Sequence, residues 1–128
     1  MQQLKVVSVD GDEVVKAANT AEIAFKCEKD SWASGWVKLR EREGPGVIWA
    51  GYEGDSISCS CVAFPQKIWF GHSEIQGGAV GEVGTLPERR RRGFAEAMLR
   101  DALRFRRESG DLITFLWPFS YRYYRKLG

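Results

Sequence analysis

The sequence predicts an α+β (α/β) domain in which helices flank a mixed, mostly antiparallel sheet. Three observations predict it. Runs rich in β-branched and aromatic residues, separated by short turns containing Gly and Asp, fill the middle of the chain. Stretches with apolar residues at helical spacing lie on both sides of that block. A short, continuous apolar run then follows the second helical stretch. The 128 residues, 44% of them hydrophobic, are enough for one core, and no linker or repeat divides residues 1–128.

Residues 4–9 read as a first strand, closed by Asp10-Gly11. Asp12 is placed to cap a helix running to Cys27, with Val14, Val15, Ala18, Ile23 and Phe25 toward one side. A second helix over residues 31–40 carries Trp32, Trp36 and Leu39, and Gly44-Pro45-Gly46 stops it. Residues 47–52 form a strand, and Glu53-Gly54-Asp55 turns it into a long strand over residues 56–70. Pro65 inside that strand predicts an edge position or a bulge, because proline has no N–H for the ladder. A turn at residues 71–74 leads into a strand ending near Leu86. From Arg91 to Ser109, Phe94, Met98, Ala102 and Phe105 line one helix face with the arginines outside, and Gly110 is the expected C-cap. Residues 112–117 read as a strand buried on both faces. Pro118 breaks it, and Ser120 caps a last short helix to Lys126.

The longest apolar runs fall far short of the ~20 residues of a membrane span, so no membrane partner is expected. Met1-Gln2-Gln3-Leu4-Lys5 lacks the basic head and apolar stretch of an export signal. Three cysteines and one histidine do not supply a zinc site, and no metal is expected. Cys59 and Cys61 alternate with Ser58 and Ser60, share a strand face and make poor disulfide partners; reduced thiols point to a cytoplasmic location. The net charge of +2 hides an asymmetry, because Arg89, Arg90, Arg91 and Arg92 are consecutive and Arg100, Arg104, Arg106 and Arg107 follow. That suggests a local anion site more than a nucleic-acid surface.

The informative unit is a strand, then Pro87-Glu88-Arg89-Arg90-Arg91-Arg92-Gly93-Phe94-Ala95, then a helix. A helix start offers backbone N–H groups without intrahelical partners, and its dipole favours anions. Gly93 and the small Ala95 let a diphosphate approach the backbone, and Arg90, Arg91 and Arg92 add charge-assisted bonds. The competing reading of the arginine run is a solvated face or a nucleic-acid patch, but the two aromatics between Arg89 and Arg107, Phe94 and Phe105, belong to the apolar helix face and do not alternate with the arginines. The spaced glycines of a dinucleotide fold and the Lys-Ser/Thr of a P-loop are absent.

Residues 83–95 resemble motif A of the GNAT N-acetyltransferase superfamily, Gln/Arg-x-x-Gly-x-Gly/Ala, with Arg90, Gly93 and Ala95 at its three positions. Residues 116–128 are similar to motif B, in the flavour of the enhanced-intracellular-survival (Eis-like) branch. The resemblance implies a GNAT-like sheet and acetyl-CoA as cosubstrate. Val83 and Thr85 are expected to pair with the pantetheine arm, and the backbone of Arg91, Arg92, Gly93, Phe94 and Ala95 to hold the pyrophosphate. Tyr124 stands where the family often keeps a tyrosine that protonates the leaving thiolate; the competing reading is an aromatic packed in the last helix. Glu82 is the best local carboxylate for a general base, against the alternative of a surface or salt-bridged glutamate. Trp32 and Trp36 read as core, with an acceptor-pocket wall as the other reading, and His72 as solvated.

The family pattern continues with further strands, and in the Eis-like branch with further domains, so the chain is expected to be an N-terminal piece of a longer protein whose sheet lacks the last strands. The expected partner is a small-molecule amine or a protein amine, with no nucleic acid, and an uncovered last strand predicts homo-oligomers. A non-catalytic acyl-CoA-binding or regulatory domain is the alternative function.

Overall fold

The structure, a computed structural model, describes residues 3–116, 124, 125 and 127. In chain order the elements are β1 (Lys5–Ser8), α1 (Asp12–Ala24), α2 (Ala33–Glu43), β2 (Ile48–Glu53), β3 (Ser56–Phe70), β4 (Ser73–Thr85), a single 3-10 turn (Pro87–Arg89), α3 (Phe94–Glu108) and β5 (Thr114–Leu116). The strands form one sheet in the order β1-β2-β3-β4-β5. The first four are antiparallel, and β5 runs parallel to β4. This mixed α+β sheet is the fold class the sequence predicts.

Strand alternation sorts the side chains into two cores. On one face Val14, Ala17, Ala18 and Ala21 of α1 and Trp36 of α2 pack on Ile48, Ala50 and Val62. On the other, Met98, Leu99 and Ala102 of α3 pack on Trp49, Cys59, Cys61 and Val80. Cys59 and Cys61 do share a face and are free thiols. Burial pushes the Cys59 thiol up to about 12 and the Cys61 thiol higher still. Ser60, turned the other way, donates its hydroxyl to the Ala17 carbonyl at 2.7 Å, satisfying a buried polar group on the α1 face. Pro65 is tolerated for the reason expected. Ala63 N–H bonds Val47 C=O on the β2 side, so Pro65 faces that same side beyond the end of β2, where no donor is needed.

Several expectations need correction. Gly11, not Asp12, is the N-cap of α1; Asp12 is the first helical residue, where its charge suits the dipole. Ile23 and Phe25 are exposed: Ile23 lies nine positions after Val14, about half a turn around the axis, and Phe25 is past the helix end. The second helix is displaced toward Glu43, and the β3–β4 turn is the two residues Gly71-His72, with His72 exposed. Arg106 does not fall outside α3. It is buried, and its guanidinium holds Asp111 at 2.9 and 3.3 Å, locking the helix end to the start of the β5 segment. The last strand is short and is not buried on both faces, since Phe115 within it is exposed, as are Leu112 and Ile113 before it; among the described residues β5 pairs only with β4. Trp117, Pro118, Ser120, Tyr121, Tyr123 and Lys126 lie outside the described residues; of the helix expected over 120–126, Tyr124 and Arg125 are described and are helical.

Candidate functional site

The site begins with a break in the regularity of β4. Gly81 stands opposite Val62 and Gly84 opposite Ser60, so β4 carries an extra residue there, and Glu82 takes a left-handed φ of 52°. This bulge resets which way the backbone faces. Before it, Gly78 N–H bonds Ile113 C=O on the β5 side. After it, Leu86 N–H bonds Ser58 C=O on the β3 side. Alternation then turns the backbone groups of Val83 and Thr85 away from β3. In an unbulged register, with Glu82 opposite Cys61 and Val83 opposite Ser60, they would be consumed in the β3 ladder. Glu82 is held in this conformation by α2, since the buried Trp36 indole N–H donates to its carboxylate at 2.6 Å.

Beyond Thr85 the chain makes the 3-10 turn and then a loop with two left-handed residues, Arg91 at φ 67° and Gly93 at φ 77°. They explain why α3 starts at Phe94 and not at Arg91 as its periodicity suggests. The first bond of the helix runs from Ala97 N–H to Gly93 C=O at 3.1 Å, which leaves Phe94 and Ala95 N–H pointing out of the helix end. Turns of this kind make anion-binding concavities of backbone N–H groups. An added Cβ at Gly93 would meet no protein atom within 4 Å, so its backbone is open to a ligand.

The four arginines are not equivalent. Arg89 and Arg92 both reach Glu53 at the end of β2, Arg92 at 3.7 Å. Ser58 Oγ also donates to Glu53, at 2.8 Å. That hydroxyl first, then the two guanidinium groups, hold the Glu53 carboxyl below its ordinary value against the opposing effect of burial. Arg90 donates to Thr85 C=O and to Ala24 C=O, both at 3.3 Å, and so ties the loop to the end of α1. Arg91 has no such partner among the described residues.

Between the end of β4, the loop and the end of α1 lies a cavity of about 420 Å³. It gathers Val83, Thr85, Arg90, Arg91, Gly93, Phe94 and Ala95, together with Ala24, Phe25, Gly84 and Arg89. A model of the acetyltransferase (GNAT) domain family matches residues 5–128. The chain belongs to the GNAT acetyltransferase domain family. No curated protein matches the sequence. Among solved structures, this GNAT domain resembles a probable N-acyltransferase from Enterococcus faecalis with TM-score 0.85 and 20% identity, over 98% of this chain and 32% of that one. A GCN5-related N-acetyltransferase from Kribbella flavida gives 0.84 and 21% identity, over 99% and 33%. A GNAT family acetyltransferase from Brucella melitensis, solved with acetyl-CoA, gives 0.75 and 17%, over 100% and 83%. The chain thus spans about a third of the length of the first two. At these identities the likeness is one of fold.

Within this GNAT domain, three of the residues singled out from sequence stand apart from the cavity lining. Arg92 points to Glu53, Glu82 faces α2, and Tyr124 packs half-buried against the α3-side core near Leu127. Trp32 meets Phe25 ring to ring, with centroids 5.2 Å apart, and so backs one cavity wall at a distance. Sequence reasoning missed Glu53, Ala24 and Phe25. An acid beside Gly54-Asp55 reads as a solvated turn residue, and nothing in its neighbours marks it as the counterion of a distant arginine run. The α1 residues could have been found only by knowing that α1 ends over β4.

Proposed function

We propose that this domain transfers an acetyl group from acetyl-CoA to a primary amine by direct attack. The observation that carries the reading is the cavity itself, where outward backbone of β4, a left-handed loop and a helix start converge with arginine. Those residues fit the cosubstrate: donors cluster at Arg91–Ala95 as a pyrophosphate requires, and the strand edge at Val83 and Thr85 suits an extended amide-bearing arm. In this reading Arg91, Gly93, Phe94 and Ala95 bind the diphosphate, while Arg90 and Arg92 act chiefly by shaping the loop. A strand N–H holds the developing oxyanion, Tyr124 gives a proton to the departing sulfur, and Glu82 draws a proton from the amine.

The acceptor is a small-molecule or protein amine. The motif B residues support the Eis-like branch, and the free thiols support a cytoplasmic setting. One observation favours a second reading, a non-catalytic acyl-CoA-binding domain: Glu82 already accepts the Trp36 N–H and lies off the cavity lining. A calorimetric titration with CoA, followed by steady-state acetylation of an amine panel, separates the two. Binding with turnover supports the enzyme, binding without turnover the second reading, and no binding overturns both. In an active form Tyr124→Phe is expected to lower kcat by about ten- to a thousandfold with CoA affinity unchanged, because the hydroxyl acts only in the transition state.

A further inference from the structure

The run Arg89-Arg90-Arg91-Arg92 poses a physical problem for the loop that carries it. Four adjacent guanidinium groups repel one another, and the left-handed turn at Arg91 costs a non-glycine residue about 1–2 kcal/mol. Left to itself such a loop would extend into solvent and spread its charges. Something must over-determine the observed conformation.

Glu53 is placed to do so. It belongs to another part of the sequence, at the end of β2, and its side chain is only 5% exposed. Arg89 and the Ser58 hydroxyl share its Oε1, and Arg92 stands over its Oε2 at 3.7 Å. The two arginines it holds flank the two that it does not. Arg90 is fixed separately, by the carbonyls of Thr85 and Ala24. The outcome is a division of labour within one tetrapeptide. Three cations are committed to protein groups and fix the loop, and Arg91, on the left-handed turn and in the cavity lining, is left for a ligand.

We propose that Glu53 is a positioning residue for the cosubstrate loop: a buried counterion that pre-forms the anion-binding turn by clamping both ends of the arginine run. This rests on the reading of the cavity as a CoA site and adds to it a residue that touches no part of the ligand. The proposal has an unusual sign. If only local charge mattered, removing a carboxylate beside a polyphosphate site would tighten anion binding. If Glu53 acts by pre-organising the loop, the same change weakens binding, because the ligand must then order the loop itself.

The test is calorimetry with CoA on the wild-type chain, Glu53→Gln and Arg92→Gln, each measured well below its unfolding temperature. Glu53→Gln keeps the shape of the side chain and removes its charge, and about a tenfold weaker Kd is expected. Arg92 is off the cavity lining and half exposed, so the fold is expected to tolerate Arg92→Gln, which should weaken CoA by roughly threefold through the same clamp. A merely structural Glu53 would lower the unfolding temperature and leave the Kd of the folded protein unchanged; that result, or tighter binding, overturns the proposal. Should Glu53→Gln not fold, Arg92→Gln decides alone, and an unchanged Kd there rejects the clamp. Failure of the wild-type chain to bind CoA would reject the site reading and this inference together, whereas wild-type binding that neither variant alters rejects only the inference.

Discussion

The two halves of β4 are built on opposite principles. From Ser73 to Val80 the strand is an ordinary ladder rung for rung with β3, and its hairpin tip carries Trp69 and Phe70 exposed to solvent. From Gly81 to the loop after Thr85, regularity gives way to a bulge, left-handed residues and polar ties from distant elements. Trp36 of α2 reaches Glu82, Glu53 of β2 holds Arg89 and Arg92, and the Ala24 carbonyl of α1 receives Arg90. The first half is held by regular ladders, to β3 along its length and to the β5 segment from Gln76 onward. The second is held by residues from three other elements, which is what a site needs when its backbone groups must stay unpaired and still point one way.

If that contrast is right, substitutions should separate the halves. The largest effect is expected at Gly84, where an added Cβ would stand 2.8 Å from Ala24 Cβ and 3.1 Å from Ala21 Cα. Gly84→Val must push α1 off the sheet and should lower stability by about 3 kcal/mol, read as a fall in the urea midpoint. An unchanged midpoint would mean that α1 sits loosely on the site half. A smaller effect, on binding, is expected at Gly93. Its φ of 77° is costly for a side chain, so Gly93→Val should weaken CoA by about tenfold in calorimetry. At the other extreme, Trp69 is 67% exposed on the hairpin half, and Trp69→Ser should shift stability by less than about 0.5 kcal/mol in the same urea experiment. A large loss there would show that the tip supports more than itself.

The same contrast explains what could be read in advance. The hairpin half was legible because period-two patterning and Gly-containing turns are local signals; β3 spans residues 56–70, as its pattern predicts. The loop 90–95 was legible because glycine, a small residue and cations stand together in the chain. What stayed hidden depends on pairs far apart in sequence. Trp36 and Glu82 are 46 residues apart, and Glu53 and Arg89 are 36 apart, and neither residue type announces its partner. The start of α3 lies later than its periodicity suggests for a related reason. Arginines fit a helical pattern as well as any residue, and only the left-handed turns at Arg91 and Gly93 exclude them. Arg106 reads as solvent-facing because an arginine on an amphipathic helix usually belongs there, and its partner Asp111 lies beyond the helix end.

The bulge at Glu82 makes the molecule sensitive to length in a way that substitutions do not probe. Adding or removing a residue in the two-residue turn at Gly71-His72 changes only the reach of a protruding hairpin. Removing Glu82 would leave Gly84 opposite Ser60 and the Val83 and Thr85 amides still outward, because only the extra residue is lost. What would go is the bend that the bulge puts into the strand, together with the carboxylate that Trp36 holds. The hairpin can therefore vary in length at no cost to the site, while the count of residues after Val80 decides how the strand edge is angled.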